Sequence, residues 1–248
     1  MPNPPVHMNL AQEVAERLGH EVLDANMGHF LLGSTSPDIR VITRVDRSVY
    51  HFAQLDFEEI GTGMRGLFHS HPHLEDASDH SEQTQAFMAG YLTHLMADET
   101  WITKMFRPYF GNRDVFKDGT VGLVMDRAMQ LEMDRRCWDD VESMRLLLDT
   151  PTDAIEIGFI PGDTLGDWAQ WVGANLDRGF SWGRLRFMAR RIADGDEAHP
   201  AYDVAEAFVS DAAAGLERLY ELVPSEMLEE YHETALDSLT DAVRDYLP

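Results

Sequence analysis

His94 and Asp98 lie four residues apart in the run AGYLTHLMADETWI, which begins at Ala89. In a helix that spacing stacks an imidazole and a carboxylate on one face, one turn apart. Phe87, Tyr91, Ile102 and Met105 continue the face at steps of three and four, so it is apolar and belongs in a core. A polar pair in a core is costly unless each member is hydrogen-bonded or coordinated. Either the two close on each other as a His–Asp hydrogen bond, or a bound cation completes them. Nine of the eleven histidines lie at or before position 94, several beside carboxylates, and that concentration favours a metal.

Asp38, His51 and His7 are the further candidates, each in a separate N-terminal segment. Asp38 also reads as a first-turn helix residue, where a carboxylate complements the helix dipole. An Asp and a His from two segments, added to the His-x-x-x-Asp pair, give four nitrogen and oxygen ligands suited to zinc, with Mn2+ or Fe2+ fitting nearly as well. The lone Cys137 excludes an intrachain disulfide framework and a thiolate zinc finger, so any metal falls to His, Asp and Glu.

A formal charge of −24 opposes binding of polyanions, so no nucleic-acid partner is expected. No run approaches the ~18 apolar residues of a membrane span. The start, MPNPPVHMNL, has neither a basic n-region nor an apolar h-region. The expectation is a soluble, cytoplasmic, acidic protein without stable membrane insertion. Its lysines are only Lys104 and Lys117, a bias shared by salt-adapted and GC-rich sources.

The elements that must position these residues read as helices. Asn9 with Gln12 resembles a capping box, followed by the stripe Leu10, Val14, Leu18 and the stop Gly19, with His7 just before the cap. A second helix is predicted over 21–32, a turn and new start near Pro37 and Asp38, and a short helical segment around Tyr50, His51 and Phe52. Residues 60–79 read as an irregular, Gly- and His-rich connection. Asp79 with Glu82 then caps a long central helix that runs to about 106 and stops before Pro108. Further helices are predicted over 121–148, 164–176, 182–193, 202–222 and 225–247. One strand-like run, 154–160, is too little for a sheet. The fold class is all-α, a bundle of about seven to nine helices in one domain, with a metal-site half of about 1–110 and a helical half of about 111–248.

Over about residues 5–110 the sequence resembles the zinc-dependent phospholipase C family, related to the zinc-dependent single-strand nucleases of fungi and plants. GSTSPDIR, His51-Phe52 and AGYLTHLMADETWI carry the resemblance, by their order and spacing together. It implies an all-α fold with metal ions held between helices. It also implies that Asp38, His51, His94 and Asp98 form one metal position, that Asp98 bridges to a second position including His7, and that Asp38 is the general base. Secreted members use an N-terminal Trp amine where this chain reads Met-Pro, and add a histidine after the His-x-x-x-Asp pair and a His-x-x-x-Glu on the next helix. Residues 95–198 contain no histidine. A site of one or two ions is therefore expected rather than three.

A second resemblance falls on RGLFHSHPHLEDASDHSE, which looks like the His-x-His-Pro signature of JAMM-type zinc isopeptidases, with Glu82 near the place of an aspartate ligand. That family needs a strand before the histidines, an upstream catalytic Glu and a largely β core, none of which the helical pattern supplies. His69, His71 and His73 then line a loop near the site mouth, with His69 or His71 a further candidate ligand. His199 and His232 read as solvated, and the cluster Trp168, Trp171, Phe180, Trp182 and Phe187 as core or the wall of an apolar pocket. The leading expectation is a metal-dependent phosphoester hydrolase acting on a small-molecule or lipid substrate. The rival is a non-catalytic metal- or small-ligand-binding helical protein, and the oligomeric state is left open.

Overall fold

Apolar residues at helical spacing, interrupted by Gly, Pro and Asx residues, fold the chain into helices alone. The computed structural model describes residues 1–248 and contains no β-strand. The metal-site half supplies α1 (Pro4–Leu18), α2 (Glu21–Ala25), α3 (Met27–Thr35), α4 (Arg40–Thr43), α5 (Arg47–His51), α6 (Thr62–Ser70) and α7 (Glu82–Trp101). A π-helical stretch, Ile102–Phe110, leads to α8 (Gly119–Arg136), α9 (Trp138–Met144), α10 (Gly162–Leu176), α11 (Arg184–Ala193), α12 (Ala201–Ser210), α13 (Ala212–Leu222) and α14 (Glu226–Tyr246). One continuous hydrophobic core of 61 buried residues runs from Val6 to Leu247. No helix is long and apolar enough to cross a membrane.

The central helix α7 is buried on every side from Thr84 to Trp101, so the predicted single apolar stripe is too narrow. A helix enclosed all round sits at the middle of its fold, and α1, α3 and α14 wrap it. The closest crossing is with α3, where Gly33 and Gly90 face the opposite backbone. A Cβ on Gly33 would collide with the Phe87 carbonyl, and one on Gly90 with the Phe30 carbonyl. The helices therefore touch backbone to backbone, which brings the Ser34 carbonyl to the His94 ring.

Several predicted boundaries move. Helix α1 starts at Pro4, not after Asn9, because proline at the first turn needs no donor; Asn9 instead bonds its neighbour Glu13 at 2.5 Å. His7 is thereby inside the helix. The predicted 21–32 helix breaks at Asn26, whose φ of −127° is not helical. The central helix is capped by Ser81, which accepts from the Thr84 N–H at 3.3 Å, rather than by Asp79.

Pro108 does not end the central helix. It sits within the π-helical stretch Ile102–Phe110, which continues directly from α7. Residues 60–79 are not irregular throughout, since α6 occupies Thr62–Ser70. The 121–148 and 202–222 predictions each divide, at Cys137 and at Asp211, and the 154–160 run is irregular rather than a strand. Fourteen α-helices thus stand where seven to nine were expected.

Candidate metal centre

Four segments converge on the buried middle of α7. His94 and Asp98 come from α7 itself, His7 from α1, His51 from the last turn of α5, and Asp38 from the 3-10 turn Ser36–Ile39. His7, His51, His94 and Asp98 are at most 2% exposed. One Asp98 oxygen lies 3.5 Å from His7 Nε2, while the other lies 3.2 Å from His51 Nε2 and 3.6 Å from His94 Nε2. His7 and His94 stack with centroids 3.8 Å apart. Asp38 Oδ1 is 3.9 Å from His51 Nε2. The donors form two overlapping triads, His7–His94–Asp98 and Asp38–His51–His94, within each of which the ligand atoms lie inside 4.8 Å of one another.

The backbone fixes the tautomers. His94 Nδ1 is 2.8 Å from the Ser34 carbonyl, and His51 Nδ1 is 3.3 Å from the Arg47 carbonyl. A carbonyl only accepts, so both Nδ1 atoms carry the proton and both Nε2 atoms present lone pairs. Those lone pairs meet at 3.3 Å, beside the Asp98 carboxylate. Three acceptors thus converge, the two Nε2 atoms and the Asp98 oxygen that also takes an Arg47 N–H, and between the two rings a further donor or a cation is required. His7 Nε2 and Asp98 Oδ1 are also buried without a hydrogen-bond partner, and unsatisfied groups of this kind mark places for an ion. The donor set, imidazole nitrogens and carboxylate oxygens without sulfur, fits zinc.

The electrostatics agree. Burial alone would raise the Asp98 carboxyl, but His94 foremost, with His51 and His7, holds it well below the carboxylate range. Burial opposes charge on His94, yet Asp98 outweighs it and raises that pKa. His51 and His7 go the other way: burial dominates at both, and takes His7 down to about 4.

Sequence reasoning missed Arg47, whose guanidinium donates to Asp98 Oδ2 at 3.0 Å, and the Ser34 carbonyl. An arginine one turn before His51 was the available signal for the first.

The isopeptidase reading is overturned. Its β core is absent, and Glu82 is an exposed first-turn residue of α7. Neither His69 nor His71 joins the triads. His71 stacks on Phe159 at 4.8 Å, and His69 lines a surface cleft with Met64 and Tyr246. Trp168 is core and donates to Thr35 at 3.1 Å, whereas Phe187 is 56% exposed. His232 is paired to Glu13 at 2.7 Å rather than freely solvated.

Fold and centre together define an all-α protein with a His/Asp cluster between helices, able to hold a metal. The family described as zinc dependent phospholipase C matches residues 6–101, the segment that holds all five candidate ligands. The likeness is to that segment of the chain. No curated protein and no solved structure matches this sequence.

Proposed function

We propose that this chain is a metal-dependent phosphoester hydrolase, one all-α domain whose N-terminal half carries the centre and whose C-terminal half covers it. Asp38, His51, His94 and Asp98 hold one divalent cation, and His7 with Asp98 reaches a second position. Zinc suits the donors best, and manganese or iron is compatible. When bound, the cation supplies a Lewis acid that polarises a phosphoryl oxygen and acidifies water. The chain's own groups do the remaining work. The Ser34 and Arg47 carbonyls hold the His94 and His51 rings with Nε2 facing inward, and Arg47 balances the Asp98 charge.

Asp38 carries the reading. Its side chain is 25% exposed while the other members of the cluster are essentially sealed, so the centre opens to solvent through this one carboxylate. A structural site closes its shell, whereas a catalytic one keeps an open position. That exposure, with the resemblance, supports Asp38 as the group that accepts the proton of the attacking water. The similarity of residues 6–101 to the phospholipase C family supports a small-molecule or lipid phosphoester as substrate. The test is hydrolysis of bis(p-nitrophenyl) phosphate and p-nitrophenyl phosphate by the zinc-loaded chain. Asp38→Asn should lower it by about 100-fold or more with helical content unchanged. Activity indifferent to both Asp38→Asn and chelation would leave the rival, a non-catalytic metal- or small-ligand-binding protein.

A further inference from the structure

His94 has a single lone pair to give. Its Nδ1 donates to the Ser34 carbonyl at 2.8 Å, so Nε2 alone can ligate. Both triads, His7–His94–Asp98 and Asp38–His51–His94, draw on that nitrogen, which serves one ion at a time. A cation held by Asp38, His51 and His94 therefore leaves the second position only His7 Nε2 and an Asp98 oxygen. Zinc sites draw three or four ligands from the protein, so the second position is short of donors.

A second positive charge is already built in. The Arg47 guanidinium donates to Asp98 Oδ2 at 3.0 Å, the oxygen that also lies 3.2 Å from His51 Nε2. The Arg47 carbonyl accepts from His51 Nδ1 at 3.3 Å, so one residue bridges two members of the centre. The bond to Asp98 is the only one the guanidinium makes, although the group carries five N–H donors. Its Nε is buried without an acceptor, and the adjacent Asp46 is engaged instead by the Ser48 N–H and hydroxyl at 2.9 and 2.6 Å. After Asp38, Arg47 is the member of the centre most open to solvent, with 13% of its side chain exposed.

These charges suit an anion. One divalent cation offsets the Asp38 and Asp98 carboxylates, neutral imidazoles add nothing, and Arg47 leaves one positive charge in excess. In two-metal sites the second ion clamps a phosphoryl oxygen. A guanidinium can do so through its N–H groups, and it stays charged. Building on the hydrolase reading, we infer that the centre holds one cation tightly and that Arg47 takes the place of a second, donating to a non-bridging oxygen of the substrate's phosphoryl group. Arg47 is then a catalytic residue, oriented by Asp98, whose unused N–H groups meet the charge on the transferring phosphoryl.

The test reads stoichiometry and binding before turnover. Calorimetry of the metal-free full chain with zinc should give one tight site, with any second site roughly 100-fold weaker or more. Inorganic phosphate is then titrated into zinc-loaded wild type, Arg47→Lys and Arg47→Ala, with zinc content measured so that binding is read per bound ion. Phosphate affinity should fall about tenfold or more in Arg47→Ala and recover in part when guanidinium ion is added. Arg47→Lys should lie between that variant and the wild type, with circular dichroism unchanged in both. An arginine that merely steadies Asp98 would change zinc content and leave phosphate binding per zinc unaltered, and that result overturns the inference. Two equally tight zinc ions in the wild type overturn it as well.

Turnover separates this inference from the hydrolase reading. Arg47→Ala should lower kcat for bis(p-nitrophenyl) phosphate by about 100-fold. Hydrolysis with kcat unchanged in that variant would sink this inference alone. Phosphate binding that depends on Arg47, in a wild type that hydrolyses nothing under zinc, manganese or iron, would sink the hydrolase reading alone.

Discussion

His51 and His94 face each other through their Nε2 atoms at 3.3 Å, and each is locked in that tautomer by a backbone carbonyl behind it. Two lone pairs that close repel unless something positive lies between them. Without a metal a proton fills that role, and it falls to His94, whose pKa burial lowers but the Asp98 carboxylate, more strongly, raises.

Metal binding must therefore expel a proton. Calorimetric titration of zinc near pH 6, repeated in buffers of different ionisation enthalpy, should show release of about one proton per chain, because ligands bind deprotonated. Affinity should weaken as the pH falls. Heats independent of the buffer would mean that the two rings are already neutral and satisfied.

The purified chain should retain one to two zinc ions by elemental analysis, and chelation should lower its melting temperature. Asp98→Ala should abolish retention and destabilise the fold by about 3–5 kcal/mol, since it strands three imidazoles and Arg47 around a vacated buried position. A small loss with no response to chelator would instead indicate a His–Asp pair that closes on itself.

Backbone contact between α3 and α7 should be intolerant of a single methyl group. Gly90→Ala drives a Cβ into the Phe30 carbonyl and should cost several kcal/mol in denaturant unfolding, with metal affinity reduced because the Ser34 carbonyl moves off His94. Gly158→Ala, where nothing lies within 4 Å but φ is +78°, should show only the smaller backbone penalty. Equal effects at the two sites would contradict the close crossing.

Asp134 offers a pH signature separate from the metal. It is buried, accepts from the Asn3 side chain at 2.9 Å, and its other oxygen has no partner. Burial raises its pKa from 3.8 to about 7, with Asn3 and Arg184 opposing. The folded state thus keeps a proton that the unfolded chain releases. Its contribution is fully present below about pH 4 and is lost as the pH rises through about 7. Asp134→Asn should match the wild type near pH 4 and exceed it by up to a few kcal/mol near pH 8. The same difference at both values would rule out the neutral acid.

Much of the site was legible from spacing. His94 and Asp98 one turn apart in an apolar run, together with Asp38, His51 and His7 in separate helical segments, identified five side chains that the structure brings within a few ångströms of one another. The all-α class followed from the same periodicity, because a 3.6-residue repeat is intrinsic to a segment and survives without knowledge of its neighbours.

What only the tertiary structure decided depends on contacts between distant segments. Helix α6 was unreadable as a helix because its N-terminal cap is Glu99, which accepts the Gly61, Thr62 and Gly63 N–H groups at 2.5, 3.0 and 2.6 Å from 36 or more residues away. The burial of α7 on all faces depends on α1, α3 and α14 closing around it. The histidine tautomers rest on the Ser34 and Arg47 carbonyls. Residue types and their local period determined which groups could bind a metal and on which helix they ride. Which lone pairs meet, and which charges surround them, was set by long-range packing, since hydrogen bonds and fields act through space rather than along the chain.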